Sequence, residues 1–94
     1  MWGIWTMDFS VALVALKAGQ RVARSGWNGK GMWICLMPGY PDGIQANAAT
    51  AKHFGEGIIH TRPYIAMRDA QGCMVTGWLG SQTDILSDDW QIVK

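Results

Sequence analysis

The residues best suited to chemistry in this 94-residue chain lie in one glycine-rich segment, Ser25-Gly26-Trp27-Asn28-Gly29-Lys30-Gly31. Its glycines expose backbone N–H groups and let a ligand approach closely. Trp27 offers a flat face for a nucleotide base, and the Asn28 amide can hydrogen-bond a polar edge. The segment predicts a binding site for a small ligand. It is not a P-loop, because Gly31 rather than Ser or Thr follows Lys30.

Positive charge is concentrated around this loop. Between Asp8 and Asp42 the chain has four basic residues and no acid: Lys17, Arg21, Arg24 and Lys30. A solvated strand edge would account for this run by itself. Beside a loop of exposed amides, the same charge also suits a small anion, and we favour that interpretation.

A second polar cluster, Ser81-Gln82-Thr83-Asp84, has the pattern of a helix start, with Ser81 as the N-cap. Capping accounts for Ser81 in part. Gln82 and Thr83 would still point polar groups outward, and a helix N-terminus favours anions and hydroxyl-rich ligands. This cluster is therefore a weaker second candidate for the site.

Catalytic and metal chemistry are poorly supported by the sequence. His53, Glu56 and His60 have a metal-like spacing, but Gly55 and Gly57 would interrupt any helix that aligned them. No nucleophile, base and orienting group stand together. We expect no metal, no cofactor and no catalytic residue, so an enzyme is the lesser hypothesis.

Composition excludes several classes of protein. Hydrophobic residues make up 49% of the chain, charged residues 16%, and the net charge is +1. These values exclude a disordered chain and argue against a protein that binds duplex DNA or RNA through bulk charge. No apolar run reaches the ~18–20 residues that span a bilayer. The six Trp are more aromatic surface than so small a core hides readily, which suggests an oligomer interface, a stacking site or both.

The pattern of elements predicts a single α+β domain over residues 1–94. One main helix, from Phe9 to Ala18 with Asp8 as N-cap and Gly19 just beyond its end, packs on an antiparallel sheet of four or five strands. Asn28-Gly29 predicts a primed hairpin turn. Residues 38–63 are expected to be an irregular insertion, with a helix within Gln45–Phe54. The predicted strands are 20–24, 32–37, 64–68, 73–79 and 90–93.

Two cysteines far apart in the sequence, Cys35 and Cys73, cannot staple a scaffold. Because both fall in apolar, strand-like runs, we expect buried thiols in a reducing cytoplasm. The first eight residues also lack the basic region of a secretory signal.

Several blocks occur in the order of one known family. They are Asp8-Phe9-Ser10, Gly26-Trp27-Asn28-Gly29-Lys30, Pro63-Tyr64-Ile65-Ala66-Met67, Ser81-Gln82-Thr83-Asp84 and Asp89-Trp90. Over roughly residues 8–93 the chain resembles the Thoeris anti-defence protein 2 family of phages. Residues 1–7 form an N-terminal extension ahead of the usual start.

The resemblance implies a non-catalytic sponge in the cytoplasm of the infected bacterial host. Such proteins bind glycocyclic ADP-ribose, the signal made by TIR-domain enzymes, in pockets between the subunits of a homotetramer, a dimer of dimers. Some related sponges also take up cyclic oligonucleotides of the CBASS type at a separate site.

On this basis Trp27 is expected to stack on adenine, and Asn28 to bind a base edge or a ribose hydroxyl. The phosphates would bind Arg24, Lys30 and the backbone amides of the loop. The ribose hydroxyls would bind Gln82, Thr83 and Asp84 of the second cluster. Tyr64 would line the wall. The full set of expected ligand-binding residues is Arg24, Trp27, Asn28, Gly29, Lys30, Gly31, Tyr64, Gln82, Thr83 and Asp84. The alternatives are a nucleotide hydrolase or phosphodiesterase, and a protein-interaction module that uses a Trp-rich surface.

Overall fold

The main helix follows from local sequence chemistry. In the computed structural model, which describes residues 7–28 and 30–94, α1 spans Phe9–Lys17. The Asp8 side chain accepts a hydrogen bond from the Val11 amide at 3.1 Å and caps the first turn. Gly19 has a φ of 89°, which suits the residue that ends a helix. The predicted helix and both of its end signals are confirmed.

Within the described residues the order of elements is helix, two strands, a strand–helix–strand unit, two strands, a helix and a last strand. After α1 the elements are β1 (Arg21–Arg24), β2 (Trp33–Met37), β3 (Tyr40–Gln45), α2 (Ala48–Phe54), β4 (Ile58–Thr61), β5 (Tyr64–Arg68), β6 (Met74–Thr76), α3 (Gln82–Leu86) and β7 (Trp90–Val93).

Five strands form the main sheet, in the order β6-β5-β2-β1-β7, and all neighbours are antiparallel. Helix α1 packs on one face, against β1, β2 and β7. The core lies between them and is built on Leu16 of the helix and Val22, Ile34 and Trp90 of the sheet, all of which are buried. The α+β class and the helix on a five-stranded antiparallel sheet agree with the prediction.

The segment 38–63 is inserted outside the main sheet, as expected, but the expectation that it is irregular was wrong. This segment contains β3, α2 and β4, and β3 pairs with β4 in a separate two-stranded sheet. We call this unit the arm. Pro41 and the positive-φ Gly43 lie inside β3 and interrupt its strand pattern, which a two-stranded edge tolerates. The helix expected within Gln45–Phe54 is confirmed as α2, which begins at Ala48 after the cap Asn47.

The arm extends the molecule, whose dimensions are 55 × 26 × 25 Å. Its elements pack chiefly on each other, and Phe54 and Ile58 are 81% and 60% exposed. An isolated two-stranded hairpin is only marginally stable in water. Within residues 7–28 and 30–94, the apolar side chains Phe54 and Ile58 of the arm are therefore left without cover.

Two further expectations need correction. No non-glycine residue in the described ranges has a positive φ, so Asn28 does not adopt the conformation of a primed turn. The β1–β2 connection covers residues 25–32, and Gly29, the second residue of the expected turn, lies outside the described residues. Cys73 is exposed and only Cys35 is half-buried, because β6 is a short edge strand that starts after Cys73.

Candidate functional site

The β1–β2 loop is anchored by Asp89, which lies just before β7. Its Oδ1 accepts from Arg24 Nε at 2.8 Å, and its Oδ2 accepts from the Gly26 backbone N–H at 2.9 Å. A Cβ on Gly26 would come within 2.8 Å of the same Oδ2. A larger residue at position 26 would displace the Asp89 carboxylate, so glycine permits this close approach, and the carboxylate fixes the first turn of the loop.

Asp84 connects the loop to α3. Ser81 caps this helix as predicted, since its hydroxyl accepts from the Asp84 amide at 3.1 Å. The Asp84 Oδ1 accepts from Arg24 Nη1 at 2.8 Å and from the Trp27 indole Nε1 at 3.0 Å. Asp84 therefore contacts two other residues expected to bind the ligand, which lie 60 and 57 positions before it in the chain.

The charged side chains of Arg24, Asp84 and Asp89 shift one another's pKa values. Hydrogen bonds from Arg24, and then from the Gly26 amide, lower the pKa of Asp89 despite its burial. Burial would raise the pKa of Asp84, but donation by Trp27, Arg24 and Ser81 lowers it below its usual value. The two acids in turn raise the pKa of Arg24. Two carboxylates and one guanidinium leave a net negative charge at the base of the loop.

Trp27 is half-buried rather than fully presented to solvent. Its ring makes edge contacts with Trp90 at 5.3 Å and with Trp78 at 6.5 Å between centroids. Phe9 of α1 also contacts Trp90, with 5.2 Å between the ring centroids. The ring orientation is thus fixed by packing and by the hydrogen bond to Asp84. As a whole, residue 27 has intermediate exposure beside the loop.

The remaining predicted residues form an exposed rim around this base. Asn28 and Lys30 are exposed on the loop, and Gln82 and Thr83 are exposed on the first turn of α3. Gly31 has a φ of 75°, and its carbonyl accepts from Arg68 Nη1 at 2.8 Å. The expected Gly29 contact lies outside the described residues.

Tyr64 is not brought to this rim. Strand β2 pairs with β5 from Trp33↔Arg68 to Met37↔Tyr64. Tyr64 is thus at the end of β2 remote from the loop, roughly 13 Å away along the strand at ~3.3 Å per residue. A single chain does not join Tyr64 to the other predicted residues.

Sequence reasoning missed Asp89, Arg68, Trp78 and Trp90 as contributors to this region. Asp89 accepts from a residue 65 positions away, so no local pattern reveals it. A signal for Arg68 was available, because alternation along β5 places it on the face opposite Ile65 and Met67, which pack on the core.

His60, one of the residues with a metal-like spacing, lies in the arm rather than in the β1–β2 loop. His60 Nδ1 lies 2.9 Å from the Pro41 carbonyl, in the arm. Over residues 7–28 and 30–94, no three His, Cys, Asp or Glu side chains are grouped so that they could hold a metal ion. None of the described helices combines the length and apolarity needed to cross a membrane.

The fold and this region define a small α+β protein in which a glycine-rich loop is tied to a short helix by an internal ion-pair network. The family model of the Thoeris anti-defense 2-like domain matches residues 7–93. Thoeris anti-defense 2 of Bacillus phage SP01 is 34% identical to this chain over 88 residues, which are 94% of this chain and 96% of that protein. The chain belongs to the Thoeris anti-defense 2 family, which confirms the resemblance and supports a role against Thoeris defence.

Proposed function

We propose that the protein binds glycocyclic ADP-ribose, the signal made by TIR-domain enzymes, in the cytoplasm of the infected host, and holds it without cleaving it. Family membership is the observation that carries this proposal. Retention of the signal would keep Thoeris effectors inactive. Cyclic oligonucleotides of the CBASS type are a further ligand class that the family resemblance suggests, at a separate site.

The geometry supports a preformed site on the rim. Because Asp89 and Asp84 fix the loop and the Trp27 ring, little ordering cost remains for binding, and a low cost favours long retention. Trp27 would stack on adenine, with Asn28 beside it. Base–aromatic stacking of this kind is worth about 1–3 kcal/mol.

The ion pairs within the site determine which part of the ligand each polar residue is expected to contact. Arg24 is held by two carboxylates, so we expect it to position the site rather than to contact phosphate directly. The pyrophosphate would meet Lys30 and the amides of the loop. The Asp84 Oδ1 accepts from Arg24 and Trp27. We expect the other carboxylate oxygen, beside Gln82 and Thr83, to accept a ribose hydroxyl.

We also propose a homotetramer, a dimer of dimers, with the ligand between subunits. The uncovered arm supports this, since Phe54 and Ile58 expose large apolar surface on an element that is marginal alone. Leu79, ahead of α3, and Leu86, its last residue, are exposed and extend apolar surface next to the site. In such an assembly, Tyr64 would reach a pocket only from a neighbouring subunit.

Size-exclusion chromatography with light scattering tests both parts of the proposal. We expect a mass about four times the 10.4 kDa of the chain, with glycocyclic ADP-ribose co-eluting. Phe54→Asp with Ile58→Asp should lower the mass, whereas Lys52→Asp, an exposed substitution on α2, should not. A one-chain mass for the unmodified protein would refute the tetramer, and elution without nucleotide would refute the ligand.

A further inference from the structure

The face of the main sheet opposite α1 carries a cavity that the Thoeris proposal does not use. Ile34 is buried under α1, so strand alternation places Trp33, Cys35 and Met37 on the opposite face. A cavity of about 330 Å³ opens there. It is lined by Trp33, Cys35, Met37, Ala66, Met67, Arg68, Gly72 and Met74.

Two arginines bring positive charge to Trp33. The Arg21 guanidinium carbon lies 5.1 Å from the centroid of the Trp33 ring. Arg68 is the partner of Trp33 across the β2–β5 ladder and lines the cavity. Its Nη1 donates to the Gly31 carbonyl at 2.8 Å, which orients the guanidinium without neutralising it.

These arginines differ from Arg24 in their ion pairing. Arg24 pairs with two carboxylates, whereas neither Arg21 nor Arg68 forms an ion pair with any residue in 7–28 or 30–94. Guanidinium groups that keep their charge next to an apolar wall are suited to anions, and arginine binds phosphate or carboxylate strongly. The positive charge on this face is therefore not balanced by carboxylates of the described residues, in contrast to the charge of Arg24 at the base of the loop.

We infer that this cavity binds a small planar aromatic ring that carries an anionic group, of the size of a single nucleoside monophosphate. The apolar lining and the Trp33 ring suit the planar part, and Met37 and Met74, which share this face by register, adapt to its shape. Arg21 and Arg68 suit the anion. The volume is at the small end of the range for ligand cavities, ~300–1,000 Å³, which favours one ring-bearing unit over a larger cyclic ligand.

Adenosine 5′-monophosphate is the probe, and nitrogen-15 NMR of the full chain is the readout. Saturable shifts of the Trp33 indole and of the Arg68 amide are expected. Adenosine has the planar ring without the anion, and inorganic phosphate has the anion without the ring. Each should therefore bind at least tenfold more weakly than the monophosphate. Arg21→Gln should weaken the nucleotide at least tenfold and keep the Arg68 contact to the loop intact, and Arg62→Gln, an exposed arginine of the arm, should change nothing.

The inference is wrong if Arg21→Gln and Arg62→Gln bind the nucleotide equally, or if the shifts centre on Asn28 and Lys30. It is also wrong if the Trp33 indole of the free protein is protected from exchange with water, since a second copy would then cover the face. Binding of glycocyclic ADP-ribose at the loop is a separate outcome, because Asn28→Ala with Lys30→Ala should leave binding of the monophosphate unchanged.

Discussion

The Asp89→Asn variant is expected to lose about 1.5–3 kcal/mol of unfolding free energy at neutral pH, the range for hydrogen bonds to charged groups. The replacement keeps the shape of the side chain and removes its charge. Arg24 and the Gly26 amide then lose the carboxylate that they share at 2.8 and 2.9 Å. Because these contacts join β1, the loop and the segment before β7, the loss should act on the whole domain.

The same variant should change how stability depends on pH. The folded pKa of Asp89 is lowered by Arg24 and the Gly26 amide from a reference of 3.8. Its contribution is therefore present above the unfolded pKa and disappears as the pH falls through the lower folded pKa. Urea denaturation between about pH 6 and pH 2 should show a steep loss for the unmodified protein and a shallower loss for Asp89→Asn. Asp84 and Asp8, whose pKa values are also lowered, account for the slope that remains.

Asp88→Asn is the matched control, since Asp88 is the exposed neighbour of Asp89. Surface substitutions of this kind usually stay within about 0.5 kcal/mol. Equal stability and equal acid sensitivity of the two variants would show that Asp89 does not anchor the loop.

The parts of the fold that could be predicted are those set by neighbouring residues. Asp8 and Gly19 mark the ends of α1 by local hydrogen bonding and backbone freedom, and Ser81 marks the start of α3 in the same way. The arm could not be predicted, because Pro41 and Gly43 conceal a strand whose pairing with β4 is a tertiary contact.

In the candidate site too, features set by neighbouring residues could be predicted and features set by distant contacts could not. Composition identified the loop and the exposed Asn28 and Lys30, which need only local information. The packing of Trp27 against Trp90 and the anchoring by Asp89 depend on residues more than 60 positions away. From the sequence alone, the Trp27 ring was therefore expected to be open to a ligand, and Arg24 was expected to be available to phosphate. Long-range contacts decided how much of each side chain remains for a ligand.

The double variant Asn28→Ala with Lys30→Ala is expected to bind glycocyclic ADP-ribose roughly 10- to 100-fold more weakly. It removes one polar contact and one charged contact to the ligand, and every 1.4 kcal/mol is a factor of about ten in the dissociation constant. Both side chains are exposed in the structure, so the free energy of unfolding should change by less than about 0.5 kcal/mol. Isothermal titration calorimetry and urea denaturation measure the two quantities.

Gln20→Ala with Lys17→Ala is the control for that experiment. It removes the same two kinds of group from exposed positions at the end of α1 and just beyond it. The control should bind as tightly as the unmodified protein. Equal weakening in both double variants would point to overall charge rather than to the loop, and no weakening in either would remove Asn28 and Lys30 from the site.

Recovery of the signal from the denatured complex tests the sequestration claim most directly. The protein is incubated with glycocyclic ADP-ribose, washed free of unbound nucleotide and heated, and the released material is identified by mass spectrometry. Intact nucleotide, in proportion to the protein and able to activate a Thoeris effector again, is the expected result. A cleaved product would show an enzyme, and a wash that removes all of the nucleotide would show that the chain does not hold the signal.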